Sequence, residues 1–140
     1  MATLQSQRNR RKTASFGTTN VAIIGAGRGG TALMEIFADD PLVRIVGVAE
    51  VDQQASGVSL AKQLGIPVTR DYRQLLAMER VDLIIDVSGN AEVWQLLQDF
   101  HRMGVTIIGG ASAKFMWELI EARIRATAEI ERTLNKYQSL

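Results

Sequence analysis

From residue 20 onward, short apolar runs alternate with segments whose apolar positions recur every three or four residues. NVAIIG (20–25) is apolar through its middle, as a strand covered on both faces must be. RGGTALMEIFADD follows, with Leu33, Met34, Ile36 and Phe37 at helical spacing, and Asp39, Asp40 and Pro41 stop it. VRIVGVAEV (43–51) is predicted as a second strand and QASGVSLAKQLG as a second helix ended by Gly65. IPVTR (66–70) is a short third strand, and DYRQLLAM is a small helix with Asp71 as its N-cap. VDLIIDVSG (81–89) is a fourth strand, NAEVWQLLQDFHRMG a helix opened by Asn90 and closed by Gly104, and VTIIGG (105–110) a fifth strand. From Ser112 the pattern stays helical to Leu140.

Alternation at this pace predicts right-handed βαβ units on a parallel sheet. The expected fold is α/β, a Rossmann-like doubly wound parallel sheet of order 3-2-1-4-5 with a long C-terminal helix. The 140 residues divide into an arm at 1–19 expected to be disordered, a folded unit at 20–111, and the helix at 112–140.

Gly25, Gly27 and Gly30 form G-x-G-x-x-G between the first strand and the first helix. That context lets a backbone turn approach a diphosphate, which then sits on the free N–H groups of the helix N-terminus. An acid is expected about 20 residues on, where it accepts the adenosine ribose hydroxyls. Glu50 stands 20 residues after Gly30 at the end of the second strand, and Asp52 is the other candidate. A carboxylate there repels a 2′-phosphate, so NAD is expected rather than NADP. Arg28 and Gly29 lie inside the loop, and Arg28 softens the preference if it pairs with a phosphate. Ser88, Gly89 and Asn90 follow the fourth strand, across the switch point from the glycine loop, where they either line the nicotinamide side or, for Asn90, cap a helix. Gly109 and Gly110 either open room for a ligand or make a bend. A CoA derivative or a flavin is a further candidate ligand.

Composition narrows the classes. There are no cysteines, which removes disulfides, thiolate metal sites and a cysteine nucleophile and suits a reducing, cytoplasmic setting. No apolar run approaches the roughly 18 residues of a membrane span. Residues 1–19 hold Arg8, Arg10, Arg11 and Lys12 and no acid, leaving 12 basic and 15 acidic residues elsewhere, so nucleic-acid binding by the folded part is not expected. The arm has the composition of a presequence without an apolar face, and RRKTAS has that of a basic kinase site. His101 reads as a solvated helix residue, and no cluster has metal-ligand or triad spacing.

Met116, Ile120, Arg123, Thr127, Ile130, Leu134 and Tyr137 are spaced 4-3-4-3-4-3, a heptad seam. The first turns are expected to dock on the sheet, with Trp117, Leu119 and Ile124 available for burial, and the remainder to project. A homodimer through residues 116–137 is the expected partner arrangement.

VAIIGAGRGG, VRIVGVAEVD, DYRQLLAMERVDLIIDVSGNAEV and GVTIIGG together resemble the cofactor domain of the glucose–fructose oxidoreductase and inositol dehydrogenase family, over about residues 20–110. Homoserine and semialdehyde dehydrogenases share much of the pattern. The resemblance implies that the acid at Glu50 holds the adenosine ribose. It also implies a Glu-Lys-Pro segment with a catalytic lysine after the fifth strand, where this chain reads IIGGASAK, so that role is not transferred to Lys114 and no catalytic residue is assigned. The family also continues into a substrate domain of a hundred or more residues. The C-terminal stretch GGASAKFMWELIEARIRATAEIERTLNKYQ is similar to the exit of Rossmann-type input domains of some bacterial sensor histidine kinases, which implies an output signalling domain as partner. The expectation is therefore a non-catalytic NAD(H)-binding sensory module that dimerises through its last helix. The alternatives are a minimal NAD-dependent oxidoreductase with its site at the dimer interface and a structural dimer without ligand.

Overall fold

The computed structural model describes residues 17–78, 80–102 and 104–139. Among the described residues, five strands alternate with five helices: β1 (Thr19–Ile24), α1 (Arg28–Ala38), β2 (Val43–Ala49), α2 (Ser56–Gln63), β3 (Val68–Thr69), α3 (Tyr72–Leu76), β4 (Leu83–Asp86), α4 (Ala91–Arg102), β5 (Thr106–Gly109) and α5 (Gly110–Gln138). The sheet is parallel throughout, in the order β3-β2-β1-β4-β5. The expected fold is the observed one.

β1 is central because both of its faces are apolar. Val21 and Ile23 belong to one core cluster, with Leu33 and Met34 of α1, Val58 of α2 and Trp117 of α5. Ala22 and Ile24 belong to the other, with Leu75 of α3 and Val93 and Leu97 of α4. Each fully buried aliphatic side chain here contributes roughly 1.5–3 kcal/mol from its removal from water. Ile24 is in register with Ala49 on β2 and with Asp86 on β4, so three strand ends meet at one level on the carboxyl edge.

Several boundaries differ from expectation. β1 begins at Thr19, whose amide donates to the Leu42 carbonyl at 2.8 Å, so the arm does not extend to residue 19. Residues 1–16, which carry the basic cluster, lie outside the described residues. β2 stops at Ala49 and β3 is two residues long, because the chain turns away as soon as the carboxyl edge is reached. α5 starts at Gly110 rather than Ser112: Gly110 has φ +57°, and β5 passes into the helix with no intervening loop. Leu119 and Ile124 are 44% and 51% exposed, not buried. The cause is length. The four residues of β5 span about 13 Å, and 29 helical residues span about 43 Å. Past Glu121 every described residue of α5 is exposed.

Candidate functional site

The glycine loop turns from β1 into α1 over the carboxyl edge. Gly25 has φ +104°, and a Cβ on it would meet the Ser88 amide nitrogen at 2.9 Å, so only glycine fits against the chain leaving β4. A Cβ on Gly30 would strike the Gly25 carbonyl oxygen, so that glycine serves the contact between helix and strand. Gly27 differs: nothing lies within 4 Å of its would-be Cβ, and the backbone there faces open space. The first intrahelical bond of this turn runs from the Thr31 amide to the Gly27 carbonyl at 2.9 Å. The N–H groups before it are those a helix start leaves without intrahelical partners. Open backbone, unpaired donors and the positive helix end suit a diphosphate.

Glu50 follows β2 directly. Its Oε1 accepts from the Ala26 amide at 2.9 Å and its Oε2 from the Asp52 amide at 3.2 Å. The carboxylate is thus fixed beside the loop, with its remaining lone pairs free for ribose hydroxyls. Asp52 does not compete for that role, because it is exposed and its Oδ1 accepts from the Gln54 amide at 2.9 Å, holding a local turn. Glu50 borders a cavity of about 210 Å³ together with Gly27, Arg70, Tyr72, Ser88 and Asn90.

A second cavity, of about 460 Å³, opens on the other side of the loop beside Gly29. Asp86, Asn90, Trp94, Lys114 and Trp117 line it. Asp86, the last residue of β4, is 4% exposed, and its Oδ1 accepts from the Ser88 amide at 3.0 Å and the Ser88 hydroxyl at 2.6 Å. Ser88 is therefore committed to Asp86. Asn90 Oδ1 accepts from the amides of Glu92 and Val93 at 2.9 and 3.2 Å, so Asn90 caps α4 while it borders both cavities. Gly89, at φ +68°, turns the chain between them. Gly109 does not open space, because a Cβ there would lie 2.7 Å from Trp94 Cε3, so that indole fills the position.

Arg28 is exposed at the start of α1, with its guanidinium carbon 5.4 Å from the Trp117 ring centroid. Of the residues expected in the site, the three motif glycines, Gly29, Arg28, Glu50, Ser88, Gly89 and Asn90 gather around the loop. Sequence reasoning missed Asp86 and Trp94, set Lys114 aside and expected Trp117 only in the core. Asp86 was detectable as an acid ending an apolar strand and Trp94 lies one helical turn past Asn90, while Lys114 and Trp117 arrive from a distant part of the chain.

Comparison with known proteins agrees with this fold. Residues 19–109 match the model of the GFO/IDH/MocA family, the oxidoreductase family with an NAD-binding Rossmann fold. An acetaldehyde dehydrogenase from Chloroflexus aurantiacus is 31% identical over 101 residues, which is 69% of this chain and 33% of that protein. The chain thus spans about a third of the length of the curated relatives it matches. A myo-inositol dehydrogenase from Corynebacterium glutamicum superposes with a TM-score of 0.58 at 22% identity, over 66% of this chain and 27% of that one. GenD2 from gentamicin A biosynthesis, in complex with NAD, superposes with a TM-score of 0.53 at 23% identity, over 67% and 34% respectively. These two structures share the fold. The family match covers well over half of the sequence, and the chain belongs to the oxidoreductase family with an NAD-binding Rossmann fold.

Proposed function

We propose that this domain binds NAD(H) across the glycine loop and serves as the cofactor half of an NAD-dependent oxidoreductase. The observation that carries the cofactor part is Glu50, its carboxylate 2.9 Å from the Ala26 amide and bordering the smaller cavity. A fixed negative charge at the adenosine ribose favours NAD over NADP. The larger cavity supports the oxidoreductase part. An enzyme needs polar groups beside the nicotinamide, and Lys114, Asp86 and Asn90 supply an ammonium, a carboxylate and an amide there. When bound, the reduced cofactor would supply hydride chemistry toward a carbonyl carbon. Lys114 would give a proton to the carbonyl oxygen, and Asp86, held by Ser88, would fix the floor of the site. The family match supports this reading over the expected non-catalytic sensor.

The experiment is calorimetry of the purified chain with NAD, NADH, NADP and NADPH. Binding of the first two, weaker binding of the phosphorylated pair, and loss of affinity in Glu50→Ala support the reading. No heat with any of the four ends it.

A second reading, a regulatory module, is favoured by one observation: α5 leaves the sheet after Glu121 with Ile130, Leu134 and Tyr137 55–70% exposed. In this reading α5 pairs with a second copy of the chain and relays occupancy to an output partner. Charge argues for an antiparallel pair centred near Thr127, which sets Arg123 against the partner's Glu131 and Glu121 against the partner's Arg132. A parallel pair in register would oppose like charges. Turnover of NADH by the chain with small carbonyl compounds would decide for the first reading, since the regulatory module turns over none.

A further inference from the structure

Two successive residues at the start of α1 touch α5. Arg28 lies over the Trp117 ring at 5.4 Å. Gly29 lies under the same indole, where a Cβ would meet Trp117 Nε1 at 3.0 Å and Cε2 at 3.3 Å. Val87 Cβ would lie at 3.2 Å from the same added atom, so Gly29 is confined by both α5 and the segment leaving β4, and the glycine turn is also the turn on which α5 is seated. Trp117 is 6% exposed and Ala113, one turn earlier, is fully buried in the same core cluster. Trp117 is the last buried residue of α5, so its seating decides where the docked part of the helix ends.

Arg28 is the one cation in the glycine loop, and its guanidinium has two possible partners. One is the indole face. The other is a phosphate bound at the α1 N-terminus. A charge-assisted hydrogen bond to phosphate is the stronger of the two, because a partly exposed cation–π contact is among the weaker attractions. The indole takes the face of the guanidinium and a phosphate takes its N–H edge, so a phosphate lying out of the stacking plane turns or draws the guanidinium from the ring.

We propose that Arg28 and Trp117 form a ligand-responsive latch, in which a diphosphate in the glycine loop draws Arg28 off the indole and loosens the docked turns of α5. The proposal rests on the cofactor reading above and adds to it a route by which occupancy reaches the long helix. Coupling is reciprocal, so the seated indole in turn weakens diphosphate binding by the same factor.

Hydrogen–deuterium exchange of the full chain, with and without saturating NAD, tests this. Amides of residues 113–121 should exchange about two- to fivefold faster with NAD bound, the factor that a surface cation–π contact is worth. In Arg28→Ala the same amides should exchange fast without ligand and change no further on adding it. Trp117→Leu keeps apolar bulk and removes the ring, and should bind inorganic pyrophosphate, which makes no use of the larger cavity, about two- to fivefold more tightly. A merely structural Trp117 would leave affinity unchanged or lower it. Should that variant fail to fold, the exchange measurement on the unaltered chain still decides. Bound NAD with unchanged or slowed exchange over 113–121 overturns the latch and leaves the cofactor reading standing. If NAD does not bind, inorganic pyrophosphate is the probe: faster exchange with it supports the latch, unchanged or slowed exchange overturns the latch, and absence of binding by either compound overturns both.

Discussion

Glu50 and Ala26 are joined by a hydrogen bond of 2.9 Å from the Ala26 amide to Glu50 Oε1, so the carboxylate proposed to read ribose also supports the glycine loop. Binding and stability are therefore linked at this residue, and two substitutions separate them. Glu50→Ala leaves a part-buried amide unpaired and is expected to cost about 1–3 kcal/mol of stability. Glu50→Gln keeps an acceptor and should melt close to the unaltered protein. Both should weaken NAD about tenfold or more, because a charged acceptor of the ribose hydroxyls is lost. Both should also narrow the preference for NAD over NADP. Thermal melts beside calorimetry of the two variants check this, and equal melting of the pair would show that the loop does not lean on Glu50.

The glycines of the motif should separate just as sharply. Gly27 has φ −77° and open space at its Cβ position, so Gly27→Ala is expected to change stability by less than about 1 kcal/mol. In the proposed cofactor site the same methyl would lie in the path of a diphosphate, and NAD affinity should fall at least about tenfold. Gly30→Ala drives a methyl into the Gly25 carbonyl and should cost about 2–3 kcal/mol or prevent folding. Chemical denaturation curves distinguish the two outcomes. A Gly27→Ala protein that binds NAD normally would place the diphosphate elsewhere.

Lys114 is on the docked part of α5 with its side chain 68% exposed, 4.0 Å from Glu118 in a surface ion pair worth little to stability. Lys114→Met should leave both the melting temperature and NAD affinity unchanged. If the domain turns over NADH with a carbonyl compound, the same change should lower kcat by about 100-fold or more, as loss of a positioned proton donor does. Initial rates at saturating substrate measure it.

Ile130 and Leu134 carry the exposed stripe of α5. The unaltered chain is expected to run as a dimer by multi-angle light scattering, and Ile130→Asp with Leu134→Asp to run as a monomer. Added salt should weaken the dimer modestly, since the charged pairs at its edges are solvent-exposed. A monomeric unaltered chain at tens of micromolar would remove the pairing.

The parts of this site that the sequence revealed are those specified by local pattern. The glycine spacing, Glu50 at its strand end, and the sheet order all follow from periodicity and connection rules, as do the helix ends at Gly65, Asp71, Asn90 and Gly104. What it concealed are meetings between residues far apart in the chain. Gly29 reads as a second loop glycine until Trp117 is seen against it, and Gly109 reads as open space until Trp94 is seen to fill it. Asp86 reads as a polar end to a strand, and only its burial and its bond to Ser88 mark it as part of a site. The exposure of Leu119 and Ile124 was hidden for another reason: helical periodicity says which residues share a face, not whether a sheet is long enough to lie under them.

The junction of β5 and α5 at Gly109 and Gly110 has a mechanical consequence. With no slack between strand and helix, α5 behaves as a pointer fixed at the sheet edge. From Trp117 to Tyr137 the helix is about 30 Å long, so a tilt of about 10° at Trp117 sweeps the tip through about 5 Å. A change in side-chain packing too small to alter the sheet is magnified at Tyr137 into a displacement that any protein touching the tip would feel.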